Sequence, residues 1–196
     1  GQKTIVIEML EQLDWEIPDV IVLPGGNLGN TAAFGKALAD LHTTGLIDRL
    51  PRLMTIQAEG AAPFADYFES GFDRYEAVKA ETIATAIKIG DPASMQRARR
   101  AIQLTDGWVA RVSDDEILAA KSWVDRVGIG CEPASAASLA GVKKLVAAGE
   151  IDPEAKVIGV LTGQLLKDSD TVIGYHLGEL GGPHRPNINR PVTIEP

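Results

Sequence analysis

The amino-acid sequence predicts an α/β protein with a doubly wound, mainly parallel sheet. Short apolar runs alternate along the chain with segments of helical periodicity, which is the pattern of strands joined by crossover helices. A glycine-rich turn follows the first apolar run, and 196 residues with 45% hydrophobic side chains can bury one sizeable core. Disorder as the main state is excluded. In sheets of this kind, ligands bind beyond the carboxyl ends of the strands.

The first half of the chain predicts two strand and helix pairs after an opening helix. Apolar residues at helical spacing begin the chain, and the continuous apolar run Val20–Pro24 is typical of a buried parallel strand. The predicted elements are a helix through Ile5, Met9, Leu10 and Leu13, the strand Val20–Pro24, a helix from about Thr31 to Leu41, the strand Leu53–Gln57 and a helix over Ala61–Phe68.

The second half continues the alternation. Residues 70–105 are predicted to be helical, with a break at Gly90–Pro92. Ser113 and Glu116 form a capping box that opens a helix to about Val127. The remaining predicted elements are the strand Gly107–Val112, a helix over 135–148 and the strand Val157–Leu161. Residues 1–180 are therefore interpreted as one α/β domain, and the Pro-, Gly- and Asn-rich residues 181–196 as an extended, non-helical tail.

Composition argues against several functional classes. Nineteen Lys and Arg against 27 Asp and Glu give a net charge of −8, so nucleic acid is a poor candidate partner. No apolar run approaches the roughly 18–20 residues that span a bilayer, so no membrane partner is predicted. The single cysteine, Cys131, favours a reducing compartment, the cytoplasm. The histidines are scattered, which supports neither a metal site nor a catalytic triad: His42, His176 and His184.

The turn Pro24–Asn30 is a candidate anion site. It joins a buried strand to a helix, so it presents main-chain N–H groups and a helix N-terminus at the ligand edge of the sheet, and its asparagine amides can donate as well. The alternative is an ordinary strand-to-helix turn that needs glycine. A Walker loop fails, because Asn30 and Ala37 stand where that motif needs Gly and Ser or Thr. A dinucleotide fingerprint matches only in part, since Pro24 replaces its first glycine.

At this turn the sequence resembles the threonine synthases, which belong to the fold type II enzymes that use pyridoxal 5′-phosphate. These enzymes carry a Gly-Asn-x-Gly-Asn loop after a buried strand. The resemblance covers nearly the whole chain and continues through the segments Ile56–Gly60, Ala86–Pro92, Gly130–Ser138, Leu161–Gly163, Leu166–Asp168 and Tyr175–His176. It implies the large-domain part of the tryptophan synthase β-like architecture.

The resemblance also implies the cofactor, pyridoxal 5′-phosphate, and the residues that bind it. The phosphate-binding role falls on the loop residues Gly26, Asn27, Leu28, Gly29 and Asn30. Thr162 matches the Ser or Thr that forms a hydrogen bond at the pyridine nitrogen, and its alternative reading is a residue that closes a turn. Glu132 is placed near the cofactor side of the sheet, with a solvated or capping acid as the alternative. Ser135 and Ser138 are read as N-cap and helix-face residues or as residues that reach substrate.

The Schiff-base lysine of the family lies in a motif upstream of the glycine loop, and this chain has no such motif. We therefore expect no catalytic residue in this chain and expect that lysine upstream. The lysines after the loop are interpreted as solvated cations: Lys36, Lys79, Lys88, Lys121, Lys143, Lys144, Lys156 and Lys167. The chain is thus identified as the C-terminal portion of a longer, threonine-synthase-like enzyme, inactive by itself.

The reaction that the resemblance implies converts O-phospho-L-homoserine and water to L-threonine and phosphate. The implied partners are this small substrate, the missing N-terminal half of the same enzyme and a second copy in a homodimer. Two other functions stay open: another fold type II enzyme, such as a threonine dehydratase, and a non-catalytic module that binds the cofactor without the Schiff-base lysine.

Overall fold

A four-stranded sheet in the order β3-β2-β1-β4 organises residues 1–192, the part of the chain that the computed structural model describes. The strands are β1 (Val20–Pro24), β2 (Arg52–Ala58), β3 (Trp108–Val112) and β4 (Val157–Gly159). The helices are α1 (Lys3–Gln12), α2 (Gly29–Thr43), α3 (Pro63–Glu69), α4 (Met95–Leu104), α5 (Asp114–Arg126), α6 (Pro133–Ala147) and α7 (Ser169–Leu177). Short 3-10 turns cover Glu59–Ala61, Thr85–Ile87 and Leu165–Asp168.

All three strand pairings are parallel, which confirms the predicted α/β class. Strand β1 lies between β2 and β4, with Val20 opposite both Arg52 and Val157. All five residues of β1 are buried because helices cover both faces of the sheet. β4 is shorter than the predicted Val157–Leu161, because the chain leaves the sheet after Gly159 to enter the turn that carries Thr162.

Alternating side chains of the strands supply two separate cores. Ile21, Leu23 and Leu53 point toward α1 and α2, where they pack with Phe34 and Leu38. On the other face, Val22, Met54 and Ile56 belong to a second cluster together with small residues of α6 and with Ile117 of α5. Because successive side chains of a strand point to opposite faces of the sheet, each strand packs against the helices on both sides. A third cluster joins α3 and α4 through Phe64, Ala98 and Ile102.

The prediction that residues 70–105 are helical is wrong for the first two thirds of this segment. Only α4 is an α-helix there, and residues 70–94 are mostly irregular. This segment is tied to other loops through its backbone: Glu81 N–H donates to Gly60 O at 2.8 Å and Val78 N–H to Gly90 O at 2.9 Å. A Cβ at Gly60 or Gly90 would overlap the opposing backbone. Tertiary backbone contacts override the local helical periodicity here.

The interpretation of Lys121 as a solvated cation is also wrong. Its side chain on α5 is only 3% exposed, and Nζ donates to Asp125 Oδ2 at 2.7 Å. Burial of this ammonium is offset by the i, i+4 carboxylate, which is itself 17% exposed. Several of the other lysines form surface pairs, such as Lys156 with Glu16 at 2.7 Å.

The capping box predicted at α5 is present. Ser113 Oγ accepts from Glu116 N–H at 3.2 Å, and Ser113 N–H donates to Glu116 Oε2 at 2.7 Å. We expect Ser113→Ala to lower the free energy of unfolding by about 1 kcal/mol, measured by urea denaturation. Ser94→Ala is the matched control, because Ser94 stands at the N-cap of α4 without a capping bond. An equal loss in both variants would contradict a capping role for Ser113.

Residues 178–192 carry no helix or strand, and they follow α7. Tyr175 Oη donates to Pro186 O at 2.7 Å, and Asn187 Nδ2 donates to Ser122 Oγ at 3.2 Å. These bonds hold the tail against α5 and α7. The prediction of a tail over 181–196 extends to residues 193–196, which lie outside the described residues. No helix within residues 1–192 is long and apolar enough to cross a membrane.

Candidate cofactor-binding site

Two loops lie side by side in strand order at the carboxyl edge of the sheet. The glycine loop follows β1, and the turn with Thr162 follows β4, the neighbouring strand. The pairing continues past β4, since Val160 N–H donates to Val22 O at 2.8 Å. Neighbouring strands lie about 4.8 Å apart, so the ends of β1 and β4 bring the predicted phosphate-binding and ring-binding residues to one edge.

The glycine loop ends in the N-terminus of α2. Leu28 has left-handed backbone angles (φ +60°) and a buried side chain, and no side chain caps the helix. Within residues 1–192, the N–H groups of Gly29, Asn30 and Thr31 have no acceptor. A Cβ at Gly29 would meet only Gln2 Nε2, at 3.9 Å. Free N–H groups, an open approach and the positive end of a 15-residue helix together favour an anion.

Asn27 and Gly26 anchor the loop to the segment that crosses it. Asn27 Oδ1 accepts from Ala93 N–H at 2.7 Å, which leaves the side-chain N–H₂ of Asn27 as the polar group that can face a ligand from this side chain. A Cβ at Gly26 would lie 3.0 Å from Ala86 O and from Ile87 Cα. Gly26 therefore permits the close approach of residues 86–87, which cover the glycine loop on that side.

Gln57 is a site residue that the sequence reasoning missed. It is fully buried on β2, where Nε2 donates to Gly25 O at 3.1 Å. Its Oε1 accepts from Phe64 N–H and Ala65 N–H at 2.9 and 3.1 Å. Gln57 thus ties the glycine loop to the start of α3. The available signal was a glutamine in a strand predicted to be buried, because a buried amide needs hydrogen-bond partners.

Thr162 lies in an exposed turn and is held from behind by Ser135. Ser135 Oγ is 3.0 Å from Thr162 Oγ1, and it accepts from the N–H groups of Thr162 and Gly163 at 3.0 and 2.8 Å. Ser138 Oγ donates to Val160 O at 2.9 Å. The expectation that Ser135 is an N-cap is wrong, because α6 begins at Pro133 and Glu132 is its N-cap residue.

Glu132 is buried beside the same turn. Its N–H donates to Gly163 O at 3.0 Å, and Oε2 pairs with Lys167 Nζ at 3.0 Å. A Cβ at Gly163 would overlap the carboxylate of Glu132, so glycine is required there for the turn to close on it. Glu132 makes no side-chain capping bond, which leaves its carboxylate paired with a lysine at the edge that carries Thr162.

Cys131 is buried next to the site, and burial raises the pKa of its thiol to about 11. Lys121 opposes this shift, whereas Asp125 and Glu132 add to it. The thiolate is therefore scarce at neutral pH, as expected of a structural cysteine.

We expect Cys131 to resist alkylation in the folded protein. A pKa of about 11 in place of 9.0 lowers the thiolate population at pH 8 by about 100-fold, and burial slows the reaction further. The measurement is the rate of iodoacetamide labelling of the Cys131 peptide by mass spectrometry, in native and in urea-unfolded protein. Labelling at similar rates in both states would contradict the assignment.

A separate cavity of about 580 Å³ lies between α5, α7 and the tail. Ser122, Asp125, His176 and Asn187 are among its lining residues, and none of the predicted site residues lines it. Among the described residues, no group of three or more His, Cys, Asp and Glu is placed to hold a metal ion. The predicted site residues lie instead at the carboxyl edge of the sheet.

The chemistry of this edge fits a phosphorylated pyridine cofactor. The row of free N–H groups at α2 suits a phosphate dianion, and the exposed hydroxyl of Thr162 on the adjoining turn suits a ring nitrogen. The fold is that of the fold type II enzymes that use pyridoxal 5′-phosphate. Residues 1–163 match the family described as pyridoxal-phosphate dependent enzyme, and the chain belongs to that family. The predicted cofactor is thereby confirmed.

The chain is also similar to individual proteins and solved structures. The chain is 46% identical over 175 residues to threonine synthase of Methanosarcina acetivorans, covering 88% of this chain and 43% of that protein. It is 43% identical to threonine synthase of Methanocaldococcus jannaschii, with the same coverages. Threonine deaminase isoform 2 from Solanum lycopersicum superposes with a TM-score of 0.69 over 88% of this chain and 47% of that chain, at 21% identity, which shows the fold alone. The chain spans less than half the length of these relatives.

Proposed function

We propose that this chain is the C-terminal, cofactor-anchoring part of a threonine synthase. The observation that carries the proposal is the 46% and 43% identity to threonine synthases over 88% of the chain, which includes both loops of the site. The proposed reaction converts O-phospho-L-homoserine and water to L-threonine and phosphate. Structures of threonine deaminases share the fold at only 21–22% identity, so they favour the dehydratase alternative less.

The residues of the chain have distinct proposed roles. Main-chain N–H groups from Gly26 to Asn30 hold the cofactor phosphate, helped by the positive end of α2. Thr162 contacts the ring nitrogen, and Glu132 holds the turn that presents it. The bound cofactor supplies the electron sink that stabilises carbanions of the substrate. The orientation of the ring is then set by two fixed points, one on each of two neighbouring strands.

Proton transfer to and from the substrate is assigned to a Schiff-base lysine outside residues 1–196. Lysines near the site are engaged otherwise: Lys167 pairs with Glu132, and Lys88 pairs with Glu81 at 2.6 Å.

The proposed assembly is a homodimer. The proposed location is the cytoplasm, supported by the single free cysteine, which is buried.

The test uses the full-length protein loaded with pyridoxal 5′-phosphate. Release of phosphate and formation of L-threonine from O-phospho-L-homoserine support the proposal. Conversion of L-threonine or L-serine to a 2-oxo acid, with no reaction of the phosphorylated substrate, would establish the dehydratase alternative. Cofactor binding without turnover of either substrate would indicate a non-catalytic module.

The position of the Schiff base is tested separately. Borohydride reduction of the loaded full-length protein, followed by peptide mapping, identifies the modified lysine. We expect the adduct outside residues 1–196. An adduct on a single lysine of residues 1–196 would overturn the assignment of an upstream lysine.

A further inference from the structure

We infer that Ser135 fixes the direction of the hydroxyl proton of Thr162, so that Thr162 donates a hydrogen bond to an unprotonated ring nitrogen. The inference deepens the proposed function and rests on it, because it assumes that the ring lies against Thr162. Ser135 would then be a positioning residue that acts on the cofactor through Thr162. Its side chain is completely buried, so it makes no contact with the cofactor itself.

The direction follows from the number of bonds that a serine hydroxyl can form. A hydroxyl has one proton to donate and two lone pairs to accept with. Both lone pairs of Ser135 are occupied by main-chain N–H groups, of Thr162 at 3.0 Å and of Gly163 at 2.8 Å. Thr162 therefore cannot donate its proton inward to Ser135, since no acceptor site is left. In the 3.0 Å contact between the two side chains, Ser135 is the donor.

An alternative acceptor for the Ser135 proton is weaker. Gly163 O lies 3.4 Å from Ser135 Oγ, and it already accepts from Glu132 N–H at 3.0 Å. The shorter contact to Thr162 Oγ1 is thus preferred. Donation from Ser135 also polarises the hydroxyl of Thr162 and strengthens it as a donor, since linked hydrogen bonds reinforce each other.

The proton of Thr162 is left facing the open side of the turn. Thr162 is exposed, and within residues 1–192 its hydroxyl has Ser135 as its one side-chain partner. A ring placed over Thr162 excludes water from this proton, so the ring nitrogen must accept it. A protonated nitrogen would compete as a second donor and leave the proton of Thr162 without an acceptor. Ser135 thereby favours the neutral form of the ring.

The turn is rigid enough to transmit this preference. Three successive anchors join α6 to the chain after β4: Ser138 Oγ donates to Val160 O, Ser135 accepts from Thr162 and Gly163, and Glu132 N–H donates to Gly163 O. These residues belong to one face at the start of a 15-residue helix whose first turn is buried. Thr162 is therefore held in place before any ligand arrives.

The experiment is ¹⁵N NMR of the full-length protein loaded with pyridoxal 5′-phosphate labelled at the ring nitrogen. In the wild type we expect the chemical shift of a neutral nitrogen that accepts a hydrogen bond. Ser135→Ala leaves Thr162 free to accept from the ring as well as to donate to it, so the shift should move toward that of a protonated nitrogen. Thr162→Val should instead give the shift of a neutral nitrogen without a donor. The dissociation constant of the cofactor should rise about tenfold, the size of one hydrogen bond.

Ser138→Ala is the matched control. It removes a buried hydroxyl from the same helix, and that hydroxyl also bonds to the chain after β4, but its hydrogen bond goes to Val160 O and not to Thr162. We expect the nitrogen shift to stay at the wild-type value in this variant. If Ser135→Ala does not fold, Ser135→Cys keeps nearly the same volume with a weak donor, and it should give a partial shift in the same direction.

Two results would overturn the inference. One is a wild-type shift typical of a protonated nitrogen. The other is a nitrogen shift that Thr162→Val changes and that Ser135→Ala or Ser135→Cys leaves unchanged. Failure of the proposed function is recognised separately, because a threonine-forming activity is measured without the label, and a protein that binds no cofactor gives no bound resonance.

Discussion

Gly29→Asp is expected to weaken binding of pyridoxal 5′-phosphate to the full-length protein by at least about 100-fold. The position is open in the folded chain, since a Cβ there meets nothing closer than 3.9 Å. The new carboxylate would lie at the free N–H groups that begin α2 and would repel a phosphate dianion there. The repulsion costs a few kcal/mol for charges roughly 4 Å apart near a protein surface. The measurement is titration of the cofactor-free protein, followed by absorbance.

Stability separates this effect from misfolding. An acidic residue in the first turn of a helix is favourable, by about 0.3–1 kcal/mol, so the cofactor-free variant should unfold at the same or a higher urea concentration than the wild type. Lys36→Gln is the control for net charge. It also changes the charge by −1 on α2, but its exposed side chain lies two turns beyond the cradle, where it pairs with Asp40. A similar loss of affinity in both variants would contradict a phosphate site at Gly29.

Gly35→Ala is expected to lower the free energy of unfolding by about 2–3 kcal/mol through overpacking. Gly35 lies at the crossing of α2 and α4, where an added Cβ would overlap Ala101 Cβ and approach Ala101 Cα to 2.8 Å. Rotation of a side chain cannot relieve a clash with Cα, so the two helices must separate. Urea denaturation of the cofactor-free protein measures the change, with the slope m as a check on two-state unfolding.

The same substitution at Gly29 provides the matched comparison. Gly29→Ala adds a methyl group to the same helix in open space, so it should leave stability unchanged or raise it by up to about 1 kcal/mol. The double variant Gly35→Ala with Ala101→Gly should recover part of the loss, because it removes the overlapping Cβ. Equal effects of Gly29→Ala and Gly35→Ala would show that helix propensity, and not the crossing of α2 and α4, determines the cost.

Local sequence patterns predicted most of the elements that position the site. The strand Val20–Pro24 was predicted with its observed bounds, because continuous burial gives it an apolar residue at nearly every position. The capping box at Ser113 was predicted because its two bonds join residues only three positions apart. The helix predicted over residues 70–94 is absent, because the backbone of this segment bonds to residues that are distant in sequence, such as Gly60. Close backbone contacts at Gly60 and Gly90 also hold it, and hydrophobic periodicity carries no information about such contacts.

The residues of the candidate site show the same contrast between local patterns and long-range contacts. The glycine loop could be predicted as a candidate anion site because glycines between a buried strand and a helix leave N–H groups open to an anion. Gln57 was missed as a site residue, and Ser135 was assigned to the wrong helix position, because their partners are Gly25, 32 residues away, and Thr162, 27 residues away. The buried ion pair of Lys121 was missed for a related reason, since a lysine on an amphipathic helix is ordinarily exposed.

The sequence by itself determined the α/β class and the resemblance that led to the cofactor, and it predicted an anion site at the turn Pro24–Asn30. These features depend on periodicity and on motifs that are contiguous in the chain. Only the tertiary structure decided which loops share an edge, because the strand order places β4 next to β1 although 132 residues lie between Pro24 and Val157. It also supplied the contacts from which we infer the direction of the Ser135 hydrogen bond, since counting donors and acceptors requires the contacts that folding creates.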